Sequence, residues 1–403
     1  MRRGKGVEWR SVAPWIVFAA VLLAETPILW PGRPVGDAFQ FWYAGHLIAI
    51  GGSPYDPAAW TAATAYGPLA SLVGDNCVDA GTASCLWLYP PWTALVFAPF
   101  GALPPETGIP LLRLAVLAAA IVACAVALRS HAGLSGMPLG IALTASALFQ
   151  PFVISVRTGH PDGLPLLGAI LAWRGLGGSV PAFSAGVALV ALKPHLLIPF
   201  SIVCAVTLVR LRRWRLVATG VLTLGVLGAA GQAATASRAL TLDSFMSGSD
   251  LKAGLDVATT WSLARAVTPG SVWPLAGALA VLACALIGWR ATRRAPNGAR
   301  DGVAFAALLA FSLAAAPYAH TYDHLLLLPA LAIAVRAWPR SALAIVLVAL
   351  LFPWLAHFVD LAVGSQAPSA LVPWLFLALL LASVEVLRAS DRAPQAHSAG
   401  SER

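Results

Sequence analysis

The chain has 403 residues, of which 59% are hydrophobic and 11% charged, and its mean hydropathy is +0.79. That much apolar surface exceeds what one soluble core hides, which excludes a water-soluble globular domain and makes lipid the solvent. The net charge of +9 does not mark a nucleic-acid surface either, because only three of the 26 basic residues are lysines and the arginines gather in short clusters between apolar runs. Such clusters are topology signals. A chain this apolar satisfies its backbone in lipid only as helices or as a closed barrel, and its Ala/Leu/Val runs, which lack two-residue alternation, select helices.

Arg2, Arg3, Lys5 and Arg10 precede an apolar run ending at Trp30. With no small-residue cleavage site, the run reads as a retained first span rather than a signal peptide. Further apolar windows predict spans near 109–128, 137–156, 161–174, 180–193, 195–209, 216–234, 272–289, 303–317, 323–337, 341–357 and 370–387, about twelve in all with the first. Pro165, Pro194 and Pro329 are expected to kink or shorten helices. With the N-terminus placed inside, nineteen of the 26 basic residues fall in inner segments and six in outer ones, while Arg113 lies within a span. Basic residues accumulate in cytoplasmic loops, so both termini are expected in the cytoplasm and the chain in the plasma membrane. The apolar piece Trp92 to Leu103, punctuated by Pro99, Pro104 and Pro105, then has to be re-entrant or interfacial.

This topology predicts one domain over residues 1–388 with two long outer segments, 31–108 and 235–271, and a disordered cytoplasmic tail over 389–403. The first outer segment holds Cys77 and Cys85, placed to close a short loop by a disulfide in an oxidising compartment. Cys124, Cys204 and Cys284 fall in spans and read as packing residues. No inverted helical repeat points to a transporter.

The remaining polar groups converge on the outer side. Asp37 follows the first span, Tyr89-Pro90-Pro91 ends the first outer loop, Arg157 to Asp162 forms one outer turn, Lys193-Pro194-His195 the next, and His320 to His324 another. Ionisable groups at the boundary of apolar segments mark a polar pocket. A sugar already attached to a lipid phosphate carries its leaving group, so transfer requires one base for the incoming hydroxyl and donors for the departing phosphate. Asp37 can be that base, and Arg157, His160, Lys193, His320 and His324 can hold phosphate oxygens. Among Phe39, Phe41, Trp42 and Tyr43, Trp42 can support a sugar ring, as can Tyr89, although interfacial anchoring explains these aromatics as well. Arg113, near the outer end of its span, either reaches the pocket or pairs with Glu106. His320 and His324 stand four apart, the spacing of two metal ligands on one helix face, but no zinc-protease glutamate accompanies them and Asp323 falls on another face, so no metal is expected.

Gly36 to Gly45, continuing to Gly51-Gly52-Ser53-Pro54-Tyr55-Asp56, resembles the opening motif of the family 87 glycosyltransferases, the polyprenyl-phosphate-mannose-dependent mannosyltransferases of GT-C type. Leu88 to Pro91 with Ala98-Pro99, Gly159-His160 with Ala191 to Pro194, and Ala316-Pro317 with His320 to His324 follow in matching order. The resemblance covers roughly residues 14 to 360. It implies an all-α integral membrane protein of GT-C type with interfacial helices in the first outer loop. It further implies inverting transfer of a mannosyl group from a polyprenyl-phosphate donor to a lipid, glycan or protein acceptor outside the cytoplasm, with no cofactor, and with Asp37 at the position of the catalytic base. Family members often have Gly-Gln where this chain has Gly159-His160, which leaves an arabinosyl donor as an alternative. A lipid-linked sugar flippase is the competing function from another class.

Overall fold

The computed structural model describes residues 9–29, 36–62, 87, 89–235, 257–268, 270–338 and 341–399, and among them there is no strand. The helices in chain order are α1 (Trp9–Leu29), α2 (Gly36–Ala49), α3 (Pro57–Ala62), α4 (Pro91–Gly101) and α5 (Pro105–Ala127), the last continuing into a π-helical turn, Leu128–Ala132. Then come α6 (Gly136–Ala147), α7 (Gln150–Thr158), α8 (Gly163–Gly175), α9 (Val180–Val190), α10 (Ile198–Arg210) and α11 (Trp214–Ala234). The C-terminal part holds α12 (Thr260–Val267), α13 (Trp273–Arg294), α14 (Arg300–Ala315), α15 (Leu328–Ala337), α16 (Ala342–Val363) and α17 (Val372–Ala399). Prolines open many of these helices, where the missing N–H is harmless and the fixed φ suits the first turn.

Five helical segments among the described residues are long and apolar enough to cross a membrane, and seven if each of two bent pairs is one span. The chain is thus a multi-pass helical membrane protein, but with fewer full-length spans than the twelve expected. The reason is length. The windows at 161–174, 303–317 and 323–337 became α8, α14 and α15, of 13, 16 and 10 residues. At 1.5 Å per residue these reach only about 20, 24 and 15 Å, against a hydrocarbon core of about 30 Å. Their buried faces are covered by protein, not lipid: α15 is buried along most of its length.

One of the bent pairs places its break at a buried lysine. Residues 180–210 bend by 118° between α9 and α10, and Lys193 sits in that break before Pro194, which cannot extend α9. Residues 138–158 bend by 61° between α6 and α7. The piece expected to be re-entrant or interfacial forms α4, 11 residues long and about 16 Å in reach, too short to span. Trp92 Nε1 donates to the Ala191 carbonyl at 2.9 Å and Thr93 Oγ1 to that of Leu192 at 3.2 Å, tying α4 to the break before Lys193.

Two cores form. The larger lies among α5–α10 and α13–α17. The smaller, rich in aromatic rings, joins α2 and α4 to Trp60, Trp87 and Tyr89. There α2 and α4 cross backbone to backbone: a Cβ on Gly101 would meet His46 N at 2.0 Å, so only glycine lets the helices close. The final helix runs on to Ala399, where a disordered tail after Arg388 was expected. Cys77 and Cys85 lie outside the described residues, and Cys124, Cys204 and Cys284 are buried free thiols.

Candidate active site

The turn from Arg157 to Asp162 is built by its glycine. Gly159 ends α7 at φ +80°, a left-handed conformation that L side chains rarely adopt, and a Cβ there would lie 2.5 Å from that of Ala38. The turn therefore packs directly on the first turn of α2, which carries Asp37. Beyond the glycine the chain redirects His160 inward, where it is 1% exposed, and the Ser155 hydroxyl secures it by donating to the His160 carbonyl at 2.7 Å.

His160 Nε2 lies 3.2 Å from the Tyr89 hydroxyl, and its ring stacks on Tyr322 at 4.0 Å between centroids. Its Nδ1 is 3.5 Å from Asp162 Oδ1. Lys193 Nζ donates to Asp162 Oδ1 at 2.5 Å and to Asp323 Oδ1 at 2.7 Å, and stands 4.9 Å above the Tyr322 ring. All three charged groups are essentially buried, and together they sum to one negative charge. The ammonium, enclosed by two carboxylates and a ring face, ties the α7–α8 turn, the α9–α10 break and the segment before α15 into one unit. It offers little positive charge to an incoming phosphate, the role for which Lys193 was a candidate.

Asp323 is placed by local geometry. Thr321–Leu327 is a 3₁₀ helix, in which residues three apart eclipse, so His320 and Asp323 share a side and the Asp323 Oδ2 accepts the His320 backbone N–H at 2.7 Å. The expectation that Asp323 faces away from His320 assumed an α-helical period. The two histidines separate instead. His320 contacts Tyr318 at 2.5 Å and Gln366 at 3.0 Å through its two ring nitrogens, while His324 is buried near the Ala258 backbone. No group of three or more His, Cys, Asp or Glu able to hold a metal occurs among the described residues.

Asp37 is half-buried at the N-terminal turn of α2, and its negative charge acts on three phenols, Tyr89, Tyr318 and Tyr322. Burial first, and then the surrounding negative charge, pushes all three above the ordinary tyrosine range. They stay protonated, so each O–H is available as a donor. Arg157 is exposed at the end of α7, and Arg113, buried on α5, donates through Nη2 to the Arg157 carbonyl rather than reaching Glu106. Trp42 belongs to the smaller core instead: it is 1% exposed, donates to the Leu103 carbonyl at 3.2 Å and stacks on His46 at 5.2 Å. It holds α2 in place.

The site thus gathers Asp37, Tyr89, His160, Asp162, Lys193, Tyr318, Tyr322 and Asp323 at one end of the bundle, a largely buried, acidic cluster rich in phenols. The model of glycosyltransferase family 87 matches residues 87–317. The chain belongs to this family. No curated protein and no solved structure matches it. As a family 87 glycosyltransferase it acts on a sugar donor and an acceptor, and the matched segment supplies Tyr89, Arg157, His160 and Lys193, whereas Asp37 and the His320–His324 turn lie outside it. Sequence reasoning passed over Tyr318, Tyr322 and Gln366. The one available signal was the phenol spacing around His320, which becomes meaningful only once the 3₁₀ geometry is known.

Proposed function

We propose that this glycosyltransferase moves a sugar, mannose as the first choice, from a polyprenyl-phosphate donor to an acceptor hydroxyl on the extracytoplasmic face of the membrane, with inversion. The observation that supports it best is the placement of Asp37. This half-buried carboxylate sits on the first turn of α2, packed against the Gly159 turn and acting on Tyr89, Tyr318 and Tyr322, where it can take the acceptor proton. As the acceptor oxygen bonds to the anomeric carbon, the carbon–oxygen bond to phosphate breaks and the electron pair leaves on the phosphate. Protonated Tyr322 can donate a hydrogen bond to developing negative charge, and Arg157, exposed on the turn that leads to His160, is the proposed cation for the phosphate oxygens. Lys193 and His160 position the chamber walls.

The test is transfer from labelled polyprenyl-phosphate mannose, and then arabinose, by the purified protein in lipid. Asp37→Asn is expected to lower kcat by about a thousandfold, within the range of a general base, while unfolding at the wild-type temperature. Wild-type transfer by Asp37→Asn refutes the assigned base. Passage of the labelled lipid across vesicles without any new glycosidic bond refutes the transfer reaction.

A further inference from the structure

The loop between α16 and α17 adds a group that the Asp37 chemistry does not use, and it lies beyond the segment matched by the family. It is held rigid by a buried acid. Asp360, 5% exposed on α16, accepts the Ser369 N–H on Oδ1 at 3.2 Å and the Ser369 hydroxyl on Oδ2, and its carbonyl accepts the Ser365 N–H at 3.1 Å. Within the loop, Ser365 Oγ accepts the Ala367 N–H at 3.2 Å and the Gln366 carbonyl accepts the Ser369 N–H at 3.1 Å. The side chain so presented is Gln366, whose Oε1 lies 3.0 Å from His320 Nδ1, while His320 Nε2 lies 2.5 Å from the Tyr318 hydroxyl. An amide oxygen can only accept, so Nδ1 carries the ring proton, and a neutral imidazole then offers its lone pair at Nε2 to the phenol.

We propose that Gln366 is a positioning residue for sugar transfer: by holding His320 as the Nδ1–H tautomer it commits the Tyr318 proton to His320, turns the Tyr318 oxygen toward the Asp37 chamber, and makes this pair the exit path of the acceptor's proton. The inference rests on the transfer reaction proposed above. The acceptor O–H proton goes first to Asp37. It then passes to the Tyr318 oxygen while the phenol's own proton moves to Nε2. Asp37 is again ionised, Tyr318 is neutral, and His320 is an imidazolium with one N–H on Gln366 and the other on Tyr318, which releases its extra proton to water. The charged and titratable groups around His320 come from every neighbouring element. Tyr318, Tyr322 and Asp323 share its segment, with Asp323 on its backbone N–H and the Tyr322 ring 5.0 Å away. His195 lies 5.6 Å from the Tyr318 ring, Lys193 and Asp162 neutralise part of Asp323, and His160 stacks under Tyr322. Asp37 acts on Tyr318 from α2, and Asp360 stands behind the Gln366 loop.

Two measurements decide this. In ¹⁵N-histidine-labelled protein in lipid, the His320 signal, assigned by its loss in His320→Asn, is expected to report Nδ1–H in the wild type and to lose that preference in Gln366→Leu. In transfer assays Gln366→Leu is expected to lower kcat about tenfold, a rise of about 1.4 kcal/mol in the barrier, with the donor KM unchanged. Gln366→Glu is expected to move the acidic limb of the kcat–pH profile to higher pH, because a carboxylate holds His320 as an imidazolium that cannot take the proton. An Nε2–H signal in the wild type, wild-type kcat in Gln366→Leu, or equal losses in both variants with no movement of the acidic limb overturns the proposal. If the wild type transfers no sugar from any polyprenyl phosphate, the transfer reading fails, while the resonance experiment still decides the tautomer.

Discussion

Replacing Lys193 with methionine removes the cation from a triad whose members are 1–2% exposed. Two carboxylates, Asp162 and Asp323, then face one another in a buried site with no countercharge. Removing one partner from a buried pair typically costs about 3–5 kcal/mol. Asp162→Asn leaves a neutral Lys193–Asp323 pair and loses one charged hydrogen bond, a smaller cost of about 1.5–3 kcal/mol. The double variant Asp162→Asn with Lys193→Met leaves a single buried acid and is expected to recover part of the loss. Unfolding followed by size-exclusion after stepwise heating in detergent reads these differences. Lys193→Met is expected to lower the midpoint on the order of 10 °C, with Asp162→Asn shifted about half as far. A Lys193→Met protein that unfolds at the wild-type temperature and only raises the donor KM refutes the triad and returns Lys193 to the phosphate.

Four further outcomes are expected. Gly159→Ala places a Cβ in the left-handed region, a cost of about 1–2 kcal/mol, and against Ala38; transfer is expected to fall further than stability, read as kcat against unfolding temperature, because the clash moves the turn of α2 that holds Asp37. Tyr89→Phe removes the hydroxyl from His160 and is expected to cost about fivefold in kcat, the worth of about 1 kcal/mol. Because burial and nearby acids keep that phenol protonated, the pH profile is expected to keep its shape. Trp42→Phe loses the bond to the Leu103 carbonyl and opens a gap beside Gly108, destabilising by about 2 kcal/mol with donor KM unchanged, whereas a sugar-stacking tryptophan would raise KM. Arg157→Ala, at an exposed position, is expected to raise the donor KM at least about tenfold, the loss of a charge-assisted contact of about 1.5–3 kcal/mol, with no change in unfolding temperature.

What could be read from the sequence, and what could not, divides along a physical line. The helical class and the gathering of Asp37, Tyr89, His160, Lys193 and His320 at one end were legible, because apolar runs and rare polar residues are strong local signals in a chain that is 59% hydrophobic. The number of spans was not, because hydropathy reports burial without saying whether lipid or protein does the burying. The window at 323–337 is apolar since the larger core surrounds it, and its first part is a 3₁₀ helix that shortens α15 to 10 residues. Trp42 shows the same ambiguity at the scale of one side chain: an aromatic next to a catalytic motif looks alike in sequence whether it faces the substrate or, as here, a carbonyl in the core.

The helix period had the largest consequence for the chemistry. Under an α-helical period, His320 and His324 form the natural pair and Asp323 stands apart. With three residues per turn, His320 and Asp323 fall together and His324 turns into the core. That one change gives Lys193 its second carboxylate and leaves both His320 ring nitrogens for Tyr318 and Gln366. It also leaves Lys193 without free positive charge, since the lysine that composition marks as unusual is neutralised by two carboxylates where it stands. On the transfer proposed above, a donor phosphate would meet its cation at exposed Arg157 and not at Lys193, and the buried interior would orient phenols and carry protons.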